Sequence, residues 1–169
     1  MKQKKVYLMC GLPGSGKSTF IHEYRGLTDA VISRDAVRFS IIKEDEEYFA
    51  KEDYVFKVFI EEINKVLKDE NVERVFVDAT HLSPKARAKV IKSMNKNNVA
   101  ELNAIYFDVP ITVAIERNNQ RTGRAKVPVN VIINMAKSYS YPTLLEGFNH
   151  IYSIDEEGGM IEVESVCLF

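Results

Sequence analysis

The sequence predicts an α/β domain in three layers, α/β/α, with helices on both faces of a mainly parallel sheet of four to five strands. Three observations predict it. Short apolar, β-rich runs alternate with longer segments of three- and four-residue periodicity, the pattern left by strands joined through crossover helices. Each β-rich run leads directly into a turn or a helix start. The first run ends in a glycine-rich turn that opens a helical pattern, the place where a doubly wound sheet puts its ligand loop.

In chain order, strands are expected at residues 5–10, 30–33, 74–78, 102–107 and 149–154. A helix follows the glycine turn over 17–25. Residues 54–67 carry Phe56, Phe59, Ile60, Ile63 and Leu67 at helical spacing, a core-facing stripe. Ser83 and Pro84 suit the cap and first turn of a helix to about Asn95, with Ala86, Val90, Ile91 and Met94 inward. Pro110 opens a helix toward Arg121, and Pro128 another that ends before Pro142. Gly158-Gly159 sets off a terminal segment, 160–169, able to add an edge strand.

With 169 residues, no internal repeat and no low-complexity linker, a single domain over 1–169 is expected. The hydrophobic share of 46% and charged share of 28% are those of a soluble globular chain, and no stretch approaches the roughly 20 apolar residues of a membrane span. Residues 6–10 are too short for the apolar region of a signal peptide, so a cytoplasmic address without membrane association is expected. Cys10 and Cys167 read as reduced, inert thiols, and the scattered His22, His81 and His150 give no zinc spacing. A net charge of −1 argues against a dedicated duplex-DNA binder. Charge is nevertheless segregated: 43–53 is acidic, whereas 83–98 is basic and has no carboxylate.

The most informative segment is Gly11-Leu12-Pro13-Gly14-Ser15-Gly16-Lys17-Ser18, which fits G-x-x-x-x-G-K-[ST], the Walker A pattern, at every fixed position. Glycines let the chain curl so that successive N–H groups converge on phosphate, and the next helix adds its positive end. Lys17 would neutralise β and γ phosphate oxygens and Ser18 would ligate Mg²⁺. The expected cofactors are therefore ATP and Mg²⁺, with Gly11, Pro13, Gly14, Ser15, Gly16 and Thr19 completing the nucleotide-binding set. A GTPase would want Asn-Lys-x-Asp, and Asn64-Lys65-Val66-Leu67 and Asn95-Lys96-Asn97-Asn98 both lack the aspartate.

A small phosphotransferase needs a group to activate its acceptor and positive charge at the transferring phosphoryl. After the second expected strand come Asp35 and Arg38, three apart on one helical face: a proton acceptor with a phosphate-holding guanidinium, or a plain intrahelical ion pair. Asp78 and Thr80 follow the apolar run 75–77, where a carboxylate meets metal or acceptor, or merely caps a strand end. Arg117 and Arg121 fall one helical turn apart before Gly123, as in a lid over 117–128 delivering arginines to phosphates, or an arginine-rich helix end. Lys85, Lys89, Lys92 and Lys96 form a basic stripe, either a nucleic-acid track or a solvated face.

Taken in order, the Gly11–Thr19 loop, Arg34-Asp35 with Arg38, the segment Asp78-Ala-Thr-His-Leu-Ser-Pro84, Phe107-Asp-Val-Pro110, and Arg117 with Arg121 before Val127-Pro128 resemble the kinase domain of the phage polynucleotide 5′-kinase/3′-phosphatase and of bacterial RNA end-healing kinases. The resemblance runs from about Lys5 to Tyr152. It implies strand order 2-3-1-4 with a helical lid, Lys17 and Ser18 on ATP and Mg²⁺, Asp35 as general base toward a 5′-hydroxyl, and Arg38 on the acceptor-end phosphate. It places Asp78 in the acceptor pocket and Arg117 and Arg121 on the donor phosphates. The sequence departs from that family in lacking Asp-x-Asp-Gly-Thr, so no phosphatase module is expected, and in adding Arg124 and Lys126 to the lid loop. The partners implied are ATP and a 5′-OH nucleic-acid end. A small-molecule hydroxyl (nucleoside, sugar acid or antibiotic) stays open as acceptor, as does a regulatory module that hydrolyses ATP slowly, because fold does not fix the acceptor.

Overall fold

Val6, Leu8 and Cys10 alternate with Tyr7 and Met9, and this period of two builds β1 (Lys4–Cys10) at the centre of the sheet. The computed structural model describes residues 2–165, so Cys167 and the end of the terminal segment lie outside the described residues. The other strands are β2 (Asp29–Ser33), β3 (Arg74–Asp78), β4 (Val99–Phe107), β5 (His150–Ile154) and β6 (Met160–Ser165). They lie in the order β2-β3-β1-β4-β5-β6, parallel except for β6.

The expected α/β class and the 2-3-1-4 order therefore hold, with six strands among the described residues in place of four to five. The sixth forms because a tight turn returns the chain antiparallel onto β5. Asp155 accepts from the N–H groups of Glu157 and Gly159 at 2.9 and 2.8 Å, and Gly158 turns at φ 89°.

The helices are α1 (Lys17–Tyr24), α2 (Arg34–Ile41), α3 (Glu52–Val66), α4 (Pro84–Ser93), α5 (Ile111–Asn119) and α6 (Val129–Ser138). On one face of the sheet, Val37 of α2, Val55, Phe59, Ile60 and Ile63 of α3, and Val90 and Ile91 of α4 pack on Val6, Leu8, Val75 and Val77. Burying each such side chain contributes about 1.5–3 kcal/mol. On the other face, Phe20 and Ile21 of α1 cover Met9, Phe76, Ile105 and Phe107.

Helix α4 begins as expected, with Ser83 Oγ accepting from Ala86 N. Its inward stripe differs: Ala86 is only partly covered, while Arg87 beside it is fully buried. Arg87 escapes the cost of burying a charge because Glu146 takes its guanidinium bidentately, Nε to Oε2 at 2.6 Å and Nη2 to Oε1 at 2.9 Å. Nη1 also donates to the His81 and Ser140 carbonyls, both at 2.9 Å. In the basic stripe Lys85, Lys89, Lys92 and Lys96 are exposed, and Lys89 Nζ sits 4.1 Å from the centre of the Phe56 ring.

No described helix is long and apolar enough to cross a membrane.

Candidate active site

Parallel register brings three segments to one edge. Leu8 pairs with Val77 and Ser33 with Asp78, so the loop after β1, the start of α2 after β2 and the end of β3 meet at the carboxyl ends of their strands. Open α/β sheets bind ligands there. A cleft of about 490 Å³ occupies this edge, walled by the glycine loop, α2 with the 42–52 segment, the end of β3, and the lid.

The loop is shaped by contacts that only glycine tolerates. Gly14 has φ 82°, and a Cβ there would stand 2.2 Å from the Ala114 carbonyl oxygen of α5. Gly16 caps α1 at φ 100°. The Gly11 N–H donates to the Thr80 carbonyl at 2.9 Å, tying the loop to the segment after β3. Pro13, Gly14, Gly16, Lys17 and Ser18 face the cleft. Gly11 and Ser15 back the loop as buried residues, while Thr19 is exposed and does not line the cleft. Gly14→Ala is expected to cost about 1–3 kcal/mol from its backbone conformation alone, and to push α5 off the loop. A lower urea midpoint together with weaker ATP binding is the expected measurement.

Lys17 Nζ donates to the Gly11 and Leu12 carbonyls, each at 2.9 Å, and so lies folded over the loop. Burial lowers its pKa, opposed by the negative charge of Asp78 and Asp35. Asp78 shows the reverse: burial raises its pKa, opposed by Lys17 and by the hydrogen bond from Ser18. Each charged group is held by the other across the cleft floor.

Ser18 Oγ donates to Asp78 Oδ2 at 3.0 Å. This sets Asp78 beside the glycine loop, within the cleft that Asp35, Arg38 and Thr80 also line, because β3 adjoins β1 and delivers its last residue next to the first turn of α1. A hydroxyl and a carboxylate adjoining a phosphate loop fit Mg²⁺, which usually takes one or two protein oxygens and completes its octahedron with phosphates and water. Among the described residues no cluster of three or more His, Cys, Asp or Glu forms a fuller metal cage.

Across the cleft, Asp35 Oδ1 accepts from both Arg38 Nη1 and Tyr48 Oη. Arg38 is 3% exposed, and it reaches further to Tyr48 Oη at 2.7 Å and to Glu52 Oε2 at 2.9 Å. Its guanidinium lies 4.1 Å from the Tyr48 ring centre, while Glu52 also pairs with Arg34. The intrahelical ion pair that the three-residue spacing allows as an alternative is therefore present as one bond of a larger network. Tyr48 and Glu52 carry no local signal in the sequence, because the 43–53 segment stands out only by its acidity.

The lid differs most from expectation. Helix α5 ends at Asn119, so Arg121 lies beyond it and no longer shares a helical face with Arg117. Arg121 lines the cleft, together with Arg124 and Lys126. Arg117 instead donates to the Glu156 carbonyl at 2.6 Å and to Ser15 O at 3.5 Å, bracing the loop from outside the cleft. The helix stops where buried Asn118 clamps the lid base: its Nδ2 donates to Val127 O at 2.7 Å, and Val127 N donates to its Oδ1 at 2.9 Å. Arg124 closes the far side, donating to Ile42 O at 3.1 Å and lying 4.5 Å from the Phe39 ring centre.

Behind the site, His81 sits 3% exposed at φ 44° with Nδ1 2.6 Å from the Met9 carbonyl. A carbonyl only accepts, so Nδ1 carries the proton and the neutral ring leaves Nε2 buried without a partner. Burial depresses its pKa from 6.5 to about 4. The native state therefore binds fewer protons than the unfolded chain between those values. About 3 kcal/mol of stability should be lost as pH falls from above 6.5 to below 4. Urea melts should show this loss, and His81→Asn, which tolerates positive φ, should reduce it.

A phosphate-binding α/β protein, with a cationic loop on one wall of a cleft and a hydrogen-bonded aspartate on the other, is the class this geometry defines. The chain belongs to the AAA domain family, which matches residues 6–142. Its fold is that of P-loop kinases. A chain of the Pnkp1/Rnl/Hen1 RNA repair complex is similar at TM-score 0.67 and 17% identity, covering 100% of this chain and 52% of that one. A sugar kinase from Janibacter sp. HTCC2649 is similar at TM-score 0.61 and 17% identity, covering 93% and 87%. A fungal RNA kinase is similar at TM-score 0.58 and 14% identity, covering 91% and 75%. At these identities the likeness defines the fold, and this chain spans about half of the RNA repair protein it matches.

Proposed function

We propose that the protein is an ATP-dependent, Mg²⁺-assisted phosphotransferase that moves the γ-phosphoryl of ATP to a hydroxyl, the 5′-hydroxyl of a polynucleotide end foremost. The observation that carries this reading is the placement of Asp35 on the wall facing Lys17, within one cleft and with Oδ2 free of protein hydrogen bonds among the described residues. The amides of the glycine loop and Lys17 seat the phosphates, and Ser18 and Asp78 hold the ion, which offsets charge on the transferring phosphoryl. Arg121, which lines the same cleft, would add positive charge for those oxygens. Asp35 takes the proton of the attacking hydroxyl at Oδ2 while Arg38 and Tyr48 hold Oδ1, fixing the carboxylate's direction.

A second reading, a small-molecule kinase, is favoured by Glu44, which lines the acceptor-side wall and repels a polyanion. Incubation with γ-labelled ATP, Mg²⁺, 5′-hydroxyl DNA and RNA oligonucleotides and a panel of small alcohols separates the two. Label on oligonucleotide ends supports the first reading, and label confined to a small alcohol overturns it in favour of the second.

A further inference from the structure

Beside the proposed base stands an aromatic wall whose outer rings, Phe39 and Phe49, the reaction chemistry does not use. Tyr48, whose hydroxyl engages Asp35, meets Phe49 edge-on at 4.7 Å between ring centres and 86° between planes. Phe39 meets Tyr48 edge-on at 6.1 Å. The two outer rings differ in what covers them. Arg124 lies over Phe39. Phe49 is 57% exposed although it lines the cleft, with Arg38 5.8 Å from its ring centre.

Phe49 is held there by a braced segment. Glu46 accepts from Lys43 N at 2.7 Å and pairs with Lys51 at 2.9 Å, and the Ala50 N–H donates to Glu47 O at 3.0 Å. A large ring fixed in water at the rim of a cleft, connected through one side chain to the proton acceptor, is a stacking platform lacking its second member. The wall also carries the carboxylate of Glu44, which disfavours a phosphate or a sugar-acid carboxylate at that spot and leaves a neutral heterocycle unopposed. The basic groups of the lid, Arg124 and Lys126, lie along the same cleft, where a phosphate beyond the first sugar finds a cation.

We propose that Phe49 stacks on the nucleobase of the acceptor, so that the hydroxyl presented to Asp35 belongs to a nucleoside unit, free or at a strand end. The inference rests on the phosphotransferase reading for the identity of the cleft, and it narrows the acceptor to molecules carrying a base.

The chain has no tryptophan, so Phe49→Trp introduces a single tryptophan at an exposed position, excitable apart from the tyrosines. With the protein saturated by a non-hydrolysable ATP analogue, 5′-hydroxyl oligonucleotides or nucleosides are expected to quench this tryptophan, and an oligonucleotide with an abasic 5′ residue, gluconate or glycerol is not. Quenching by nucleosides alone assigns the platform to a free nucleoside, and quenching by both assigns it to strand ends as well. In the transfer assay Phe49→Ala is expected to raise KM for base-bearing acceptors about 5–150-fold, the range for losing one base–aromatic stack. The abasic acceptor should be unaffected, and Phe49→Tyr should restore the loss. Quenching by the ATP analogue alone, equal losses for base-bearing and abasic acceptors, or no quenching by any base-bearing acceptor overturns the proposal. Quenching without any phosphoryl transfer leaves the stacking site standing and removes the kinase reading, whereas transfer without selective quenching does the opposite.

Discussion

Asp35→Asn is expected to slow phosphoryl transfer by about 10²–10⁴-fold, the usual contribution of a positioned general base, and to leave ATP affinity unchanged. Asparagine keeps the size of the side chain, and its amide oxygen still accepts from Tyr48 and Arg38, so the network around Arg38 survives. What disappears is the ability of the outward-facing atom to take a proton. The variant also separates a transferase from a regulatory ATPase: acceptor-independent hydrolysis needs no base at 35. Titration of ATP binding beside single-turnover transfer measures both quantities. A variant with full transfer and full binding would remove Asp35 from the chemistry.

The largest effect on stability is expected at Arg87. Arg87→Ala leaves Glu146 without a cation, its carboxylate held only by the Thr143 N–H, and strips partners from the His81 and Ser140 carbonyls, a loss of about 3–5 kcal/mol for breaking a buried pair from one side. Domains of this size have only about 5–15 kcal/mol in hand. Arg87→Met combined with Glu146→Gln removes both charges and should recover part of the loss, since the stranded carboxylate accounts for much of it. Urea denaturation of the two variants against the parent gives the comparison. Equal midpoints for Arg87→Ala and the parent would mean that the guanidinium network adds nothing to the fold.

How far the sequence announces this architecture depends on the range of the forces involved. β3 matches its expected span residue for residue, because Val75-Phe76-Val77 is bounded by polar residues and the signal is local. β4 starts at Val99, three residues before its apolar run becomes obvious, since Val99 is drawn into the sheet by pairing with Lys4 of β1, a partner 95 positions away. The same distinction divides the site. The glycine loop is written in adjacent residues and was readable, as was the Asp35–Arg38 pair at helical spacing. Tyr48, Glu52 and the Arg87–Glu146 pair act across the fold and leave no periodic trace. Arg87 in particular looks like one more cation on a basic helix until its partner, 59 residues on, is seen against it.

The two-way bond between Asn118 and Val127 has a mechanical consequence. Nine positions separate the tied residues, so the chain between them is a short bight beside the cleft whose feet are fastened together. The loss of chain freedom on bringing the feet together grows only with the logarithm of the span and is already met in the resting protein. Across the cleft the bight is tied by Arg124, through the Ile42 carbonyl and the Phe39 ring. Any movement of this bight away from the far wall would therefore have to break a latch one side chain deep, while its two feet stay joined.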